Sequence, residues 1–202
     1  MSQPLQTFSY REMAWTICES PLGQLTVVAG PDGVRSLHYP GRVPELDPSA
    51  RREMPEVTRQ LEEFFAGERQ GFELDLDLAG APLQKAVWSR LLEVPYGGTT
   101  TFTELADAVD VAARPEELVR YQCVGVAAAA VGCTPAPILI PCHRVLSVDG
   151  SLTGYIGGMQ RKQALLDLER RVAEEVPERT LKRSVAGAET RPSAVRRVAV
   201  SR

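Results

Sequence analysis

The sequence predicts an α+β fold built in two parts, and three observations support this prediction. Short apolar segments alternate with turns over residues 12–39, which is typical of an antiparallel meander. Segments with the apolar spacing of amphipathic helices follow, and most of them lie in the second part. An Asp149-Gly150 pair between two extended segments is the pattern of a β-hairpin turn. A chain of 202 residues is long enough for two small hydrophobic cores.

The first part, residues 1–81, is predicted to form a small α+β domain. After the meander, residues 56–66 carry apolar side chains at helical spacing and are closed by Gly67. Apolar and acidic residues alternate over residues 72–78, which predicts a half-buried strand. We find no constellation of catalytic side chains in this part.

The second part, residues 82–173, follows a linker at residues 79–82 and is predicted to be mostly helical. Its predicted helices cover residues 83–94, 101–109, 115–131 and 158–173. Thr101 and Glu104 fit a capping box, in which each side chain accepts a hydrogen bond from the backbone amide of the other residue. Helices that are followed by a hairpin predict a winged helix-turn-helix domain.

Charge is distributed unevenly along the chain. The formal net charge is −3, but residues 176–202 carry +5 and the other 175 residues carry −8. An acidic body is unusual in a nucleic-acid binder, because such proteins normally present a basic face. Residues 174–202 are predicted to be a disordered basic tail, since Pro, Gly, Ser and Arg alternate through most of it.

Composition also bears on the cellular compartment. No apolar stretch approaches the roughly 20 residues of a membrane-spanning helix, and the first residues lack the pattern of a secretory signal. The four cysteines have no paired spacing, which argues against a disulfide framework and for a reducing compartment. We therefore expect a cytoplasmic, nucleoid-associated protein that has no membrane partner.

The candidate nucleophile is Cys142, which is followed directly by one of the two histidines of the chain, His143. A thiol reacts as thiolate, so a reactive cysteine needs positive or proton-accepting neighbours, and we expect His143 and Arg144 to supply both. Adjacent side chains point apart in an extended backbone, so a Cys–His contact requires a tight turn or a bridging water. The alternative is a buried free cysteine beside an incidental histidine.

Glu169 is the candidate third member of this site. Helical geometry puts it in the middle of the apolar face that Leu165, Leu166 and Val172 form. A carboxylate there must find a partner or suffer a desolvation cost of about several kcal/mol. It either orients His143, in a nucleophile–base–orienter arrangement, or extends to the edge of the face.

A zinc site is a further alternative for the cysteines. It would combine four residues, namely Cys123, Cys133, Cys142 and His143. Their intervals lack the short paired spacing of structural zinc motifs. We therefore expect neither a metal nor a cofactor.

Residues 138–145, Ile-Leu-Ile-Pro-Cys-His-Arg-Val, resemble the active-site signature of the O6-alkylguanine-DNA alkyltransferases (methylated-DNA–protein-cysteine methyltransferases). The resemblance spans residues 82–170. It includes residues 83–84, 87–88, 94–97, 149–155, 157–158, 161–162 and 165–166, and it ends at Glu169. The first part is similar, mainly at residues 20–23, to the ribonuclease H-like domain that precedes this module in the family.

The resemblance implies a suicidal DNA repair reaction. Cys142 would attack the alkyl carbon of O6-alkylguanine, while His143, through a water and Glu169, takes the thiol proton. A thioether has no easy route back, so each molecule would act once. The implied partner is double-stranded DNA, bound through its minor groove with the damaged base flipped out, and we expect a monomer.

The resemblance also implies which residues contact DNA and the damaged base. They are Phe102, Thr103, Gln122, Gly125, Thr134, Arg144, Val145, Tyr155 and Ile156. The small residues over 124–130 would let this helix approach a minor groove only about 6 Å wide. The alternative is an alanine-rich helix packed in the core.

Several of these positions depart from the family pattern. Phe102 stands where the family usually has Tyr, and Thr134 where it usually has Asn. The usual recognition-helix Arg aligns with Gly125 or Gln122, and Ile156 occupies a position that is usually small. Two other functions therefore stay open, namely recognition of damaged DNA without efficient repair, and a thiol that accepts or senses small electrophiles.

Overall fold

The first domain is built on a three-stranded antiparallel sheet with the strand order β1-β2-β3. The computed structural model describes residues 13–109 and 120–184, with side chains over 13–109 and 124–175. The strands are β1 (Ala14–Cys18), β2 (Leu25–Gly30) and β3 (Gly33–His38). The predicted meander is confirmed. Gly33 has a φ of 135°, and a Cβ there would lie 2.3 Å from the carbonyl oxygen of Asp75, so only glycine fits this turn.

One helix, α1 (Pro55–Phe65), follows this sheet as predicted. Its buried residues are Val57, Gln60, Leu61 and Phe64. The predicted strand at residues 72–78 is wrong, because only one isolated bridge, between Val34 and Leu76, joins this segment to β3. Gln60 explains the difference: its side chain accepts from the amide of Glu73 at 2.8 Å and donates to the carbonyl of Glu73 at 3.3 Å. A side chain thus satisfies the backbone groups that a strand partner would otherwise bind.

The second domain begins with helices that pack around α2 (Pro82–Glu93). The others are α3 (Phe102–Ala108) and α4 (Arg120–Gly132), and the indole of Trp88 in α2 donates to the carbonyl of Ala130 in α4 at 2.9 Å. The predicted capping box opens α3 and is confirmed. The predicted start of the next helix, at residue 115, lies outside the described residues.

The predicted hairpin is only partly present. The turn forms, because the amide of Ser147 donates to the carbonyl of Ser151 at 3.0 Å. However, β5 (Val145–Leu146) pairs in parallel with β4 (Thr100–Thr101), and no strand follows the turn before α5. The ammonium of Lys162 joins the two arms instead, since it donates to the carbonyls of Val145 at 2.6 Å and Thr153 at 3.0 Å.

The last helix, α5 (Met159–Ser184), is longer than predicted. Its predicted end at residue 173 and the predicted disorder from residue 174 are wrong as far as Ser184, and residues 185–202 lie outside the described part. Glu174 and Glu175 favour helix and extend it. Within residues 13–109 and 120–184, no helix has both the length and the apolar character that crossing a bilayer requires.

Candidate active site

Cys142 lies in a single turn of 3₁₀ helix, Cys142–Arg144. Its amide donates to the carbonyl of Ile140 at 2.7 Å, and the amide of Arg144 donates to the carbonyl of Pro141 at 3.0 Å. The side chain of Cys142 is only 2% exposed. Because the backbone is folded into a turn, Cys142 and His143 are not forced to opposite sides as they would be in a strand.

The loop before this turn, residues 133–141, is held by the rest of the protein. Ile138 has a φ of 77°, in the left-handed region that a β-branched residue rarely adopts. Such a conformation costs on the order of 1–3 kcal/mol and persists only where its surroundings enforce it. Ile138 is buried, and Leu37 of the first domain donates to the carbonyl of Pro135 at 3.0 Å. The first domain therefore helps to hold the loop that presents Cys142.

Thr134 fastens the same loop from inside the second domain. It is buried, and its hydroxyl donates to the carbonyl of Val131 at 2.8 Å. The same side chain acts to lower the pKa of the Cys142 thiol. A hydroxyl thus holds the cysteine loop at the position where the family usually has an amide.

Glu169 of α5 is the centre of a buried hydrogen-bond network. Its Oε1 accepts from His143 Nε2 at 2.8 Å and from Arg144 Nη2 at 2.8 Å. Its Oε2 accepts from Arg144 Nε at 2.9 Å and from the amide of Gly97 at 3.0 Å. Glu169 and His143 are both fully buried. The carboxylate therefore has its partners inside the protein and does not extend to the edge of the helix face.

Arg144 serves this network and not the thiol. Two of its nitrogens bind Glu169, a third donates to the carbonyl of Val94 at 2.6 Å, and the guanidinium lies 5.6 Å from the ring centroid of Tyr96. The expectation that Arg144 supplies positive charge to Cys142 is therefore wrong. A planar guanidinium fits a carboxylate with two parallel hydrogen bonds, which a cysteine cannot offer.

The protonation states follow from these contacts. Burial alone would raise the pKa of Glu169, but hydrogen bonds from His143 and Arg144 outweigh it and bring that pKa to about 2. Burial lowers the pKa of His143, and the hydrogen bond to Glu169 opposes this shift in part. At neutral pH an ionised Glu169 therefore accepts from a neutral imidazole, so the proton of His143 is on Nε2. Its Nδ1 is buried, has no hydrogen-bond partner among the described residues and carries the lone pair.

Lys162 is the cation that acts on the thiol. Burial raises the pKa of Cys142 to about 12, while the side chain of Thr134 and the charge of Lys162 act in the opposite direction. Lys162 is only 1% exposed, and burial lowers its own pKa. Lys162 is not among the residues that the sequence predicted for this site. Its position seven residues before Glu169 puts it on the same buried face of α5, so the helical spacing that predicts Glu169 also indicates Lys162.

Three other candidate residues surround the turn. Val145 is fully buried, and its carbonyl accepts from Lys162. Tyr155 is half-buried, and its ring meets that of His143 edge to face with 6.4 Å between centroids. Ile156 is half-buried and packs against the core.

Four candidate residues lie on α3 and α4. Phe102 and Thr103 are half-buried in the first turn of α3, and Gly125 is exposed on α4. Gln122 lies within α4, but its side chain is outside the described part. In the described part, no hydrogen bond or ring contact joins Phe102, Thr103 or Gly125 to Cys142.

The zinc alternative receives no support from the described side chains. They contain no group of three or more His, Cys, Asp or Glu residues placed to hold a metal ion. Cys133 is exposed, Cys142 is buried, and the side chain of Cys123 is outside the described residues.

Comparison with known proteins places both parts of the chain in one family. The DNA-binding domain of 6-O-methylguanine DNA methyltransferase matches residues 82–171, and the ribonuclease-like domain of the same protein matches residues 13–78. A methylated-DNA–protein-cysteine methyltransferase of Methanosarcina barkeri is 36% identical over 168 residues, which are 78% of this chain and 97% of that relative. One of Mycobacterium tuberculosis is 38% identical over 160 residues, which are 75% of this chain and 89% of the relative.

Solved structures are similar over the same region. The Mycobacterium tuberculosis O6-methylguanine methyltransferase has a TM-score of 0.66 and 34% sequence identity, and the match covers 79% of this chain and 93% of that one. The structure of the Mycobacterium tuberculosis protein in complex with DNA has a TM-score of 0.67 and 34% identity, and the match covers 79% and 94%. The predicted α+β fold, with a ribonuclease H-like domain followed by a winged helix-turn-helix domain, is thereby confirmed.

Proposed function

Because the chain belongs to the 6-O-methylguanine DNA methyltransferase family, we propose that it repairs DNA by moving an alkyl group from O6-alkylguanine to its own Cys142. It is a methylated-DNA–protein-cysteine methyltransferase and a DNA-binding protein. The assignment of Cys142, His143 and Glu169 to this reaction rests on the buried network in which an ionised Glu169 orients His143, the residue after Cys142.

The network supports His143 as the proton acceptor. Glu169 holds the imidazole with the proton on Nε2, which leaves Nδ1 as the only basic atom of the ring. The thiol proton passes to Nδ1, directly or through one water, and the imidazolium that forms is stabilised by Glu169. Lys162 stabilises the thiolate at the same moment through its positive charge.

The displacement itself balances without a cofactor. The sulfur of Cys142 forms a bond to the alkyl carbon, and the bond from that carbon to O6 of guanine breaks. The electron pair stays on the guanine, which takes up one proton. The product is a thioether on Cys142 and an unmodified guanine, and each protein molecule reacts once because the carbon–sulfur bond of a neutral thioether is not readily broken.

Helix α4 supports a close approach to the DNA. Ala127 and Ala130 of α4 are buried against the neighbouring helices, whereas Gly125 and Ala129 are exposed on the opposite face. The core-packing interpretation therefore holds for one face of the helix, and the exposed small residues of the other face leave room for the groove interpretation. We assign the exposed small face to the minor groove, where longer side chains would keep the backbone away. The damaged base is flipped out of the stack to reach a cysteine that is buried.

Burial of Cys142 argues against a thiol that senses small electrophiles. Such cysteines are solvent-accessible and have a lowered pKa. Cys142 is 2% exposed, and its pKa is raised to about 12. The thiol therefore stays inert in the free protein and reacts when substrate is delivered next to it.

The departures from the family pattern concern the rate of alkyl transfer. Phe102 lacks a hydroxyl, and α4 has Gly125 or Gln122 where the family usually has Arg. Loss of one such contact typically costs about 1–3 kcal/mol. We propose that these departures reduce the rate of repair. Repair itself persists because Cys142, His143 and Glu169 are all present.

The test is the formation of an adduct on Cys142. The protein is incubated with duplex DNA that contains one O6-methylguanine, and intact and peptide masses are then measured. We expect a gain of one methyl group, confined to the peptide with Cys142, and none in Cys142→Ala. A matched control is Cys18→Ala, which removes a buried thiol of the first domain and should leave the adduct unchanged.

Two outcomes would contradict the proposal. One is the absence of any adduct in the wild-type protein at high protein and DNA concentrations. The other is a methyl group that appears equally fast with a free methylating reagent and no DNA, because that result would favour the sensor function. Lesion-specific binding without an adduct, unchanged in Cys142→Ala, would favour recognition without repair.

A further inference from the structure

A contact between the two domains reaches the candidate active site. Tyr39 follows β3 of the first domain and is only 2% exposed. Its hydroxyl and that of Tyr155 lie 2.7 Å apart and share a hydrogen bond. Tyr155 in turn meets the ring of His143 edge to face. Tyr39 precedes Cys142 by 103 positions in the chain. In space, the side chain of Tyr155 connects it to His143, the proposed proton acceptor.

Tyr39 also contacts the backbone of the segment that carries Tyr155. A Cβ on Gly157 would lie 2.5 Å from the ring of Tyr39, so this glycine lets the ring pack directly on the chain. The two tyrosine rings are themselves arranged edge to face, with 6.0 Å between their centroids. Tyr39 thus limits the position of Tyr155 through both its ring and its hydroxyl.

Arg161 holds this arrangement together from α5. Its guanidinium lies 5.0 Å from the ring centroid of Tyr39, which is the distance of a cation–π contact. The same side chain donates to the carbonyl of Leu22 in the first domain at 2.9 Å and to that of Gly157 in the second domain at 2.9 Å. The cluster of Tyr39, Tyr155, Gly157 and Arg161 therefore spans both domains.

The shared hydrogen bond is present at neutral pH. Burial is the main cause that raises the pKa of both phenols, and the nearby Cys142 raises each of them further. Both hydroxyls therefore keep their protons, and one of them donates to the other.

We propose that Tyr39 of the first domain is a positioning residue for alkyl transfer, which acts by holding Tyr155 against His143. The inference rests on the proposed function. Tyr39 does not contact substrate; the hydroxyl bond and the packing on Gly157 set where the ring of Tyr155 stands. The first domain then contributes to the chemical step and not only to the stability of the chain.

The test compares Tyr39→Phe with the wild-type protein in single-turnover transfer from O6-methylguanine duplex DNA. The phenylalanine keeps the packing on Gly157 and Arg161 and removes only the hydroxyl. We expect the maximal rate at saturating DNA to fall about threefold to tenfold, as for loss of one hydrogen bond. The DNA concentration that gives half of that rate should change less than twofold.

A double variant and a matched control separate positioning from stability. If Tyr39 acts through Tyr155, adding Tyr39→Phe to Tyr155→Phe should slow transfer no further. Thr58→Val removes another side-chain hydrogen bond of the first domain, the 3.4 Å contact with Cys18, and should leave the rate unchanged. Thermal unfolding of each variant is measured alongside.

The outcomes separate this inference from the proposed function. No adduct in the wild-type protein refutes the proposed function itself. A normal wild-type rate together with an unchanged rate in Tyr39→Phe refutes only the role of Tyr39. The role is also refuted if Tyr39→Phe slows transfer by the same factor in the Tyr155→Phe background, or if Thr58→Val slows it equally.

Discussion

Two buried cations next to Cys142 have different tasks. Arg144 is paired with Glu169 through two parallel hydrogen bonds, so its charge is neutralised where it stands. Among the described residues, Lys162 has only backbone carbonyls as hydrogen-bond partners, so its charge remains available to a thiolate. A buried Arg–Glu pair is costly to break, because removing one partner leaves an uncompensated charge in the interior.

Glu169→Gln is expected to destabilise the protein and to change its response to acid. At neutral pH the free energy of unfolding should fall by about 3–5 kcal/mol, because Arg144 loses its counter-charge. The pKa of Glu169 is lowered from 4.5 to about 2, so its stabilising effect is complete above the unfolded pKa and is lost as pH falls toward 2. The difference between the two proteins should therefore shrink over this interval, as measured by urea unfolding at a series of pH values.

The control for this prediction is Glu56→Gln on α1. Glu56 pairs with Arg59 at the surface, where solvent screens the charges, so its removal should have little effect on stability. A stability difference between wild type and Glu169→Gln that stays constant from neutral pH to pH near 2 would contradict the assignment of an ionised, buried Glu169.

At the scale of the elements, the two faces of α4 have different roles. One face packs through Ala127, Ala130 and Val131, all buried, and the other exposes Gly125 and Ala129. A Cβ on Gly125 would meet nothing within 4 Å, so packing inside the protein does not require a glycine there. The lack of bulk on the exposed face is therefore a property of the surface, in agreement with a close approach to DNA.

Ala129→Leu should weaken binding to duplex DNA without destabilising the fold. Leucine is a good helix former, so α4 itself is retained, but the longer side chain holds the helix away from a groove about 6 Å wide. We expect the Kd for lesion-containing duplex to rise at least about tenfold, since displacement of the helix weakens several phosphate contacts together. Fluorescence anisotropy at one fixed salt concentration measures this effect.

The matched substitution is Ala66→Leu, at an exposed position that ends α1 in the first domain. It adds the same side chain far along the sequence from α4 and should leave the Kd unchanged. Equal weakening in both variants would indicate a general effect of added apolar surface, and no weakening in Ala129→Leu would show that α4 does not face the groove.

At the scale of the whole molecule, the charge distribution is unusual for a DNA-binding protein. The chain is acidic overall, with a net charge of −3, and its last 27 residues carry +5. The long-range electrostatic interaction between most of the chain and DNA is therefore repulsive. Positive charge near the C-terminal end offers compensation through contacts with phosphates.

Removal of residues 185–202 is expected to reduce the salt dependence of DNA binding. This segment contains four arginines, Arg191, Arg196, Arg197 and Arg202, against one acidic residue, Glu189. The slope of log K against log salt should become shallower by about 0.9 for each arginine that contacts a phosphate. Binding titrations from low to moderate salt test this, with Arg42→Ala in the first domain as a control. An unchanged slope would show that the segment makes no phosphate contacts.

Local sequence was sufficient to predict much of the fold and the central residues of the candidate site. The meander, α1, α2 and the capping box of α3 follow from periodicity and turn residues within a few positions of one another. The pairing of His143 with Glu169 follows from one motif and one helical face. These features depend on residues that are close in sequence, or on a single polar group on an apolar face that must find a partner.

Other features were decided only by contacts between distant residues. Residues 72–78 are not a strand, because Gln60 takes the hydrogen bonds of Glu73, and β5 pairs with β4 instead of closing a hairpin. Which cation serves Cys142 depends on side-chain direction in three dimensions, and so does the bond between Tyr39 and Tyr155. The sequence identified Cys142, His143 and Glu169 as candidates for one site; the tertiary structure decided which groups surround them, because geometry and not distance along the chain sets the hydrogen-bond partners of buried charges and hydroxyls.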